Sequence, residues 1–339
     1  MTYTFLNMLQ KLKLSYQIAK NTWIKQSPFL LYLKPTARCN LRCKSCSRWQ
    51  EESSIKDELP LSEIKRILEK FKKSGCAVFT VWGGEPTLRA DLPEILAIAK
   101  KLGFRTSMCT NCLLLPQKAD AILPNLDVLL CSLDGYGKTH DEFRGVEGLF
   151  KKVCEAIKIA SFYKNCYIKI WASVHKRNLH QIDELVEFAK DLQTGIEFFP
   201  ISLIKGYNDD LVPDTNDRIG VFGRIMELKK QGYPIRNPFR ALKILKNSEP
   251  FTCNFGQIAI FLDHKGNVYT CEDSAGEPRR EWCNYKKFNP ATIFSSKEFK
   301  ETKENLKKCN ICSLPCMIEL SGNLSCRLLS LFFDSQRWG

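Results

Sequence analysis

The sequence has no long apolar run. Nothing in its 339 residues approaches the roughly 18 consecutive apolar residues that a spanning helix needs, so a chain that crosses a bilayer is not expected. Residues 1–13 lack the ordered charged start, apolar stretch and small-residue cleavage site of an export signal. Low-complexity segments are missing, as are internal repeats beyond a βα rhythm. Acidic residues are in deficit, 37 Asp and Glu against 51 Lys and Arg, for a net charge of +14. That balance serves solubility and would equally suit an anionic partner: lipid headgroups, a nucleotide, a phosphorylated substrate or nucleic acid. With 44% hydrophobic and 26% charged residues, the composition excludes disorder as the default. The length fits one large domain with a smaller one.

Cysteine is in excess, at 16 residues. Without an export signal, clustered thiols point to metal in a reducing compartment rather than to disulfides. A cytoplasmic location is expected, with attachment to the inner face of a membrane as the alternative. Cys76, Cys109, Cys131, Cys154 and Cys166 lie in apolar strand-like or helix-like runs and read as small buried hydrophobes.

Residues 1–28 read as a basic amphipathic lead helix, with Phe5, Met8, Leu9, Leu12 and Ile18 beside Lys11, Lys13, Lys20 and Lys25. Such a helix can lie on a membrane surface; packing on the main domain is the commoner fate. A regular alternation then begins. Strands are expected at 29–33, 77–82, 105–109, 128–133, 167–174 and 196–199, with helices near 61–73, 91–101, 116–123, 148–163 and 179–191. Alternating βα units imply an α/β fold with a parallel sheet and helices outside. Six units are too few for the eight-stranded barrel, so residues 29–202 are expected to form a partial (β/α)6 TIM-like barrel. A helical linker over 203–250, a small cysteine-rich domain over 251–326 and a tail over 327–339 complete the expected order.

The run Ala37-Arg38-Cys39-Asn40-Leu41-Arg42-Cys43-Lys44-Ser45-Cys46 follows the first expected strand. Its C-x3-C-x2-C spacing lets one loop step around a cubane from iron to iron. Iron–sulfur clusters normally take four Cys ligands, so three leave one iron open. A zinc site would favour four ligands in two close pairs. A second motif, Trp82-Gly83-Gly84-Glu85-Pro86, ends the second strand. Its glycines let backbone approach a ligand closely, and its carboxylate and carbonyls can accept from an ammonium group. Asn111 follows the third strand; Ser132 and Asp134 end the fourth, and Arg144 lies in the loop beyond. All of these fall at C-terminal ends of expected parallel strands, the rim where barrel-like sheets build their sites. Asp134 could equally cap its own loop, and Asn178 reads as a helix N-cap.

These motifs resemble the radical S-adenosylmethionine (SAM) superfamily, in which the cysteine triad is the defining signature. The resemblance implies a [4Fe–4S] cluster on Cys39, Cys43 and Cys46, and SAM bound by Gly83, Gly84, Glu85, Pro86, Asn111, Ser132, Asp134 and Arg144. It implies reductive SAM cleavage, a 5′-deoxyadenosyl radical, and a low-potential donor such as flavodoxin or ferredoxin. One departure is Ser45, where the family usually has an aromatic residue, so adenine contacts are expected to differ. The C-terminal spacing Cys253-x12-Gly266-x4-Cys271 resembles the twitch or SPASM accessory domains, which carry auxiliary [4Fe–4S] clusters. A single auxiliary cluster on Cys253, Cys271, Cys309 and Cys312 is expected, with Cys316 as an alternative ligand. A zinc knuckle suits four thiolates too. The later spacing departs from a SPASM domain, and Cys283 and Cys326 are left without a role. The expected substrate is a peptide, a sugar or another small molecule. Segment 108–115 and the lead helix also look somewhat like radical SAM enzymes of hopanoid lipid synthesis, which keeps membrane-surface lipid chemistry as an alternative. The rival from another class is a non-catalytic zinc or nucleic-acid module; nucleic acid is not the expected partner.

Overall fold

The computed structural model describes residues 12–51, 53–271, 281–309 and 315–322. A helix over residues 12–19 (α1) runs into a π-helical turn, Lys20–Lys25, that ends at Gln26 in the left-handed region. Six βα units follow. They comprise β1 (Leu30–Leu33), α2 (Leu61–Ser74), β2 (Val78–Val81), α3 (Leu92–Lys101), β3 (Arg105–Thr110), α4 (Leu115–Ile122), β4 (Val128–Ser132), α5 (Lys138–Arg144), α6 (Leu149–Ser161), β5 (Tyr167–Val174), α7 (Ile182–Asp191) and β6 (Gly195–Pro200). The strands from β1 to β6 pair in sequence order, all parallel. Right-handed crossovers between sequential neighbours place every helix on the same face, which gives the partial barrel.

Local chemistry explains the units. In α2, Ile64, Ile67, Leu68 and Phe71 recur at helical spacing and are buried. Each side chain contributes roughly 1.5–3 kcal/mol by leaving water. Gly75, at φ +113°, ends the helix in a conformation that disfavours any side chain. The strands alternate in a complementary way. Along β4, Leu129 and Cys131 are fully buried, whereas Val128, Leu130 and Ser132 are only partly so. One set packs under the helices; the other lines the concave face.

The remaining chain closes both sheet edges. Beyond β6 come α8 (Thr215–Lys230) and α9 (Phe239–Asn247). Between them, buried Asn237 pairs with the open edge of β6, accepting from the Phe198 amide and donating to the Phe198 carbonyl, each at 2.8 Å. An edge strand covered in this way cannot recruit another chain. On the other side, β7 (Ala259–Leu262) pairs parallel with β1, and β8 (Asn267–Tyr269) and β9 (Glu281–Asn284) continue antiparallel. The sheet thus has nine strands, ordered β6-β5-β4-β3-β2-β1-β7-β8-β9. Tyr32 of β1 stacks on Phe261 of β7 at 4.7 Å, which seals the junction. Helices α10 (Pro290–Ile293), α11 (Lys297–Lys307) and α12 (Pro315–Leu320) end the described part.

The six expected strands and the five long helices appear. Helix α5 does not follow from the sequence, which reads its segment as a loop; α8 and α9 fall within the expected helical linker. Among the described residues, no helix is long and apolar enough to cross a membrane.

A candidate cofactor site at the rim of the barrel

The loop after β1 is anchored at several points. The Gly84 amide donates to the Thr36 carbonyl and the Glu85 amide to the Arg38 carbonyl, at 3.2 and 2.8 Å, so the Gly-Gly-Glu segment runs alongside it. A Cβ on Gly84 would lie 2.1 Å from the Arg38 carbonyl oxygen, so the approach is possible only for glycine. Further along, the Lys44 amide donates to the Phe143 carbonyl. The Tyr207 hydroxyl donates to the carbonyls of Cys43 and Cys46, at 3.3 and 3.0 Å. Cys43 is buried; Cys39 and Cys46 are half-buried. Burial pushes the Cys43 thiol up to about 11, against the pull of Arg144, while charge on Cys46 or Cys39 opposes its ionisation. Burial raises Cys39 as well. Among the described residues, no three His, Cys, Asp or Glu side chains form a group that could hold one metal ion. A cubane makes a different demand, one thiolate on each of three irons.

Glu85 is the hinge between this loop and β3. It is 1% exposed, and its carboxylate accepts from the Thr87 amide (3.0 Å), the Thr87 hydroxyl (2.6 Å), the Thr110 hydroxyl (2.8 Å) and the Asn111 amide (2.9 Å). Burial nevertheless holds its carboxyl above the usual range. The sequence reading offered this carboxylate to a ligand's ammonium group; its four donors all come from the protein. Pro86 opens the following turn, Pro86–Leu88. Asn111 closes the circuit by donating from its side chain to Asn40 of the cysteine loop at 2.8 Å.

The second hub is Asp134, also 1% exposed. One carboxylate oxygen accepts from the Ser173 amide at 2.8 Å; the other takes the Arg144 guanidinium through Nε at 2.6 Å and Nη2 at 2.5 Å. Its amide donates to His140 Nδ1 at 3.1 Å, and its carbonyl accepts from Asn178 at 2.7 Å. Burial alone would raise the Asp134 carboxyl; Arg144, His140 and Ser173 outweigh it and hold the group below its usual range. Arg144 also reaches the thiol loop, its Nη1 lying 3.8 Å from Cys43 Sγ. Burial drops His140 to about 3 and His175 to about 4, so both rings are neutral at physiological pH. His175 lies flat on Phe143 at 3.7 Å. Asn178 sits at an N-cap position, but its side chain bonds Asp134, Ser173 and His175 and does not cap the turn.

Below the rim, the concave face is polar and aromatic. Ser132 lies there, its Oγ 3.9 Å from Cys109 Sγ. Cys109, expected to be a buried hydrophobe, is half-buried, its Sγ turned toward Ser132. Cys154 is likewise half-buried. Lys169 and Glu197 form a buried ion pair between β5 and β6, and Trp171 meets Phe199 edge to face at 5.4 Å. The sequence does not single out Lys169, Trp171 or Glu197, and it reads Phe199, at the end of the sixth strand, as packing. Their signal is a polar or aromatic residue at every second strand position, legible only once the inward register is known.

Of the C-terminal cysteines, Cys253 is buried and Cys309 half-buried; burial raises the Cys253 thiol, and Cys309 lies near enough to raise it further. Gly266 turns the β7–β8 hairpin at φ +84°, and Asp263 accepts from the Lys265 and Asn267 amides to hold it. Cys271 lies just past β8, and Cys283 sits in β9 opposite Val268. Cys312, Cys326 and the side chain of Cys316 lie outside the described residues.

A family model described as the radical SAM superfamily matches residues 33–189, the stretch that carries the cysteine loop and both hubs. These residues belong to the radical SAM superfamily. It is an enzyme family whose members bind a [4Fe–4S] cluster and SAM. The chain is 27% identical to an Fe-coproporphyrin III synthase of Methanosarcina barkeri over 236 residues, covering 63% of this chain and 58% of that protein. It is 32% identical to an AdoMet-dependent heme synthase of the same organism, covering 57% of each. The chain therefore spans less than two thirds of the length of these curated relatives. SuiB of Streptococcus suis, solved with S-adenosylmethionine, superposes with a TM-score of 0.66 at 19% identity, covering 87% of this chain and 74% of SuiB. That likeness establishes the fold. The residues present fit the family's cofactors: thiols on a fixed loop, a guanidinium beside the most buried of them, and a Gly-Gly segment packed so closely against that loop that no Cβ is tolerated.

Proposed function

We propose that Cys39, Cys43 and Cys46 hold a [4Fe–4S] cluster with one iron open to SAM, and that the enzyme modifies a C–H bond of a peptide, sugar or other small molecule lodged against the concave face. The observation that carries this reading is the convergence of three strand ends on one loop: Asn111 bonds Asn40, Glu85 bonds Arg38, and Arg144 reaches Cys43. When bound, the cluster and SAM supply a 5′-deoxyadenosyl radical after one-electron reduction, by a donor such as flavodoxin or ferredoxin.

The chain's residues divide the remaining work. Gly83 and Gly84 let their segment lie directly against Lys34 and the backbone of the cysteine loop, where its carbonyls would take the amino end of SAM, with Pro86 and Glu85 fixing that segment in place. Glu85 is committed to Thr87, Thr110 and Asn111, so its role is to hold the cradle rather than to take the ammonium directly. Arg144, gripped by Asp134, sets a positive charge against the thiolates. Ser132, beside Cys109 on the concave face, would contact the remainder of SAM, and Asn111 would brace the cysteine loop through Asn40. Trp171, Phe199 and the Lys169–Glu197 pair line the space left for the substrate. An auxiliary cluster on Cys253, Cys271, Cys309 and Cys312, with Cys316 as the alternative ligand, would accept an electron from the substrate radical; the proximity of Cys253 and Cys309 supports it. The names of the relatives include haem precursors, and SuiB has been solved with its precursor peptide SuiA, which supports substrates of these two kinds.

Anaerobic reconstitution tests the reading. Two cubanes require about eight iron and eight sulfide atoms per chain, and Cys39→Ala should remove about four of each. The reduced N-terminal centre should shift its electron paramagnetic resonance on adding SAM. A Cys39→Ala variant that still forms 5′-deoxyadenosine at the unsubstituted rate would defeat the proposal.

A further inference from the structure

The opposite end of the barrel has its own chemistry. Helices that cross back between parallel strands run antiparallel to them, so their C-termini collect around the strands' N-terminal ends. Four of them carry lysines in their last turn: Lys72 and Lys73 in α2, Lys100 and Lys101 in α3, Lys158 in α6 and Lys190 in α7. Some are engaged, Lys72 with the Gly103 carbonyl, Lys100 with Asp127 and Lys190 with Glu187. Lys73, Lys101 and Lys158 are exposed. Complementing each helix dipole accounts for such lysines one at a time. It does not account for the apolar groups among them.

Those groups belong mainly to α1 and its π-helical turn. Ile18 and Asn21 are fully buried, and Asn21 Nδ2 donates to the carbonyls of Pro28 and Gly75, at 3.0 Å each, which pins the helix beside the C-terminus of α2. Lys25 Nζ reaches the Ser74 carbonyl at 3.5 Å. The outward face presents Leu12, Tyr16, Trp23 and Ile24, which are 58–76% exposed. Lys13 and Lys25 are exposed beside them, and Lys20 lies 5.8 Å from the Tyr16 ring. Phe162, just past α6 at the same end, is 83% exposed. Burial on a folded core explains none of these five side chains. Tyr and Trp among aliphatic residues, flanked by lysines, is the composition that settles at a lipid interface.

We propose that this end of the barrel binds the surface of an anionic lipid bilayer, with Tyr16, Trp23, Ile24 and Phe162 entering the interface and Lys13, Lys25, Lys73 and Lys101 meeting the headgroups. The cysteine loop lies at the other end of the strands, so a docked enzyme keeps its open rim facing away from the bilayer. The surface therefore places the enzyme at a membrane and does not feed lipid into the site.

Co-sedimentation of the full chain with vesicles tests this without calling on enzymatic activity. The protein should pellet with phosphatidylcholine–phosphatidylglycerol vesicles at low salt, far less at high salt, and little with phosphatidylcholine alone. Trp23→Ser combined with Ile24→Ser should lower the partition coefficient at least about tenfold. Lys73→Glu with Lys101→Glu, two exposed positions outside α1, should lower it as well while keeping the melting temperature, which guards against a misfolded helix variant. Failure to pellet with anionic vesicles, or pelleting of both double variants at the level of the unsubstituted chain, would overturn the proposal. So would a dimer, seen by light scattering without lipid, that dissociates on the Trp23 and Ile24 substitutions, since the face would then belong to a second copy. Salt-sensitive binding of duplex DNA by protein that ignores vesicles would overturn it too.

Discussion

At the rim, Glu85, Asp134, His140 and Asn178 are polar and all but inaccessible, whereas at the opposite end Tyr16, Trp23, Ile24 and Phe162 are apolar and exposed. Each end inverts the usual placement, and the two inversions differ in cost and in meaning. A buried carboxylate is tolerable only with a full set of partners, since an unpaired one costs several kcal/mol. Glu85 and Asp134 both have that set, each tied to at least one strand end distant in sequence, so the rim is fixed in geometry. Exposed aromatics need no partners within the fold. They contribute little to stability where they are, and their use lies in what they later touch. One end is organised to hold atoms in place, the other to meet a surface.

The largest expected effect breaks the rim. Asp134→Ala removes the partner of a buried guanidinium and an acceptor for the Ser173 amide. Loss of one member of a buried ion pair costs about 3–5 kcal/mol. Chemical denaturation should show that loss with the slope unchanged, and the cysteine loop, no longer steadied through Arg144 and Cys43, should reconstitute with less iron. A loss below about 1 kcal/mol would place Asp134 with ordinary surface residues and remove the contrast between the two ends.

How much of this was legible beforehand follows a physical division. The strands β1 to β6 announce themselves because each buries one face under a helix, and a period of two is visible in sequence. The cysteine triad and the Gly-Gly-Glu-Pro segment are legible because their members are adjacent along the chain. Residues that matter through register are not: Lys169 and Glu197 meet only because β5 and β6 pair as they do, and Cys109 looked buried until the concave face was defined. The parallel seat of β7 against β1 escaped for the same reason, since a hairpin signal specifies a strand's antiparallel partner and says nothing of its other neighbour. Helix α5 is seven residues long, too short for periodicity to show, yet it carries His140 and Arg144. The commitment of Glu85 to Thr110 and Asn111 is a tertiary fact that no spacing encodes.

A smaller effect sharpens the picture of the rim through pH. His175 is held neutral, its pKa lowered to about 4 by burial. The unfolded chain binds a proton near the ordinary histidine value while the folded chain refuses it, so this group's share of stability is present above that value. It is lost as pH falls from about 6.5 toward about 4. His175→Phe keeps the flat contact with Phe143 and removes the titration; the Asp134 carbonyl still accepts from Asn178. The variant should lose about 1 kcal/mol at pH 8, the worth of one hydrogen bond, and its stability should fall less steeply between those two pH values. An unchanged slope would mean that the ring is accessible to protons in the folded state.

The smallest effect on stability is expected at the other end. Trp23 is 66% exposed, so replacing it with serine removes little packing. The helix is fixed through Ile18 and Asn21, which point the other way. Surface substitutions of this kind usually stay within about 0.5 kcal/mol. Thermal and denaturant unfolding of Trp23→Ser should therefore match those of the unsubstituted chain. A loss of about 2 kcal/mol or more, the scale of a buried side chain, would mean that the indole is covered in solution by the fold itself. The four exposed residues would then be part of the core, and the opposition between the two ends would disappear. If stability is unchanged, the large apolar face is a burden the fold carries without benefit to itself, which is the condition for ascribing it to an external partner.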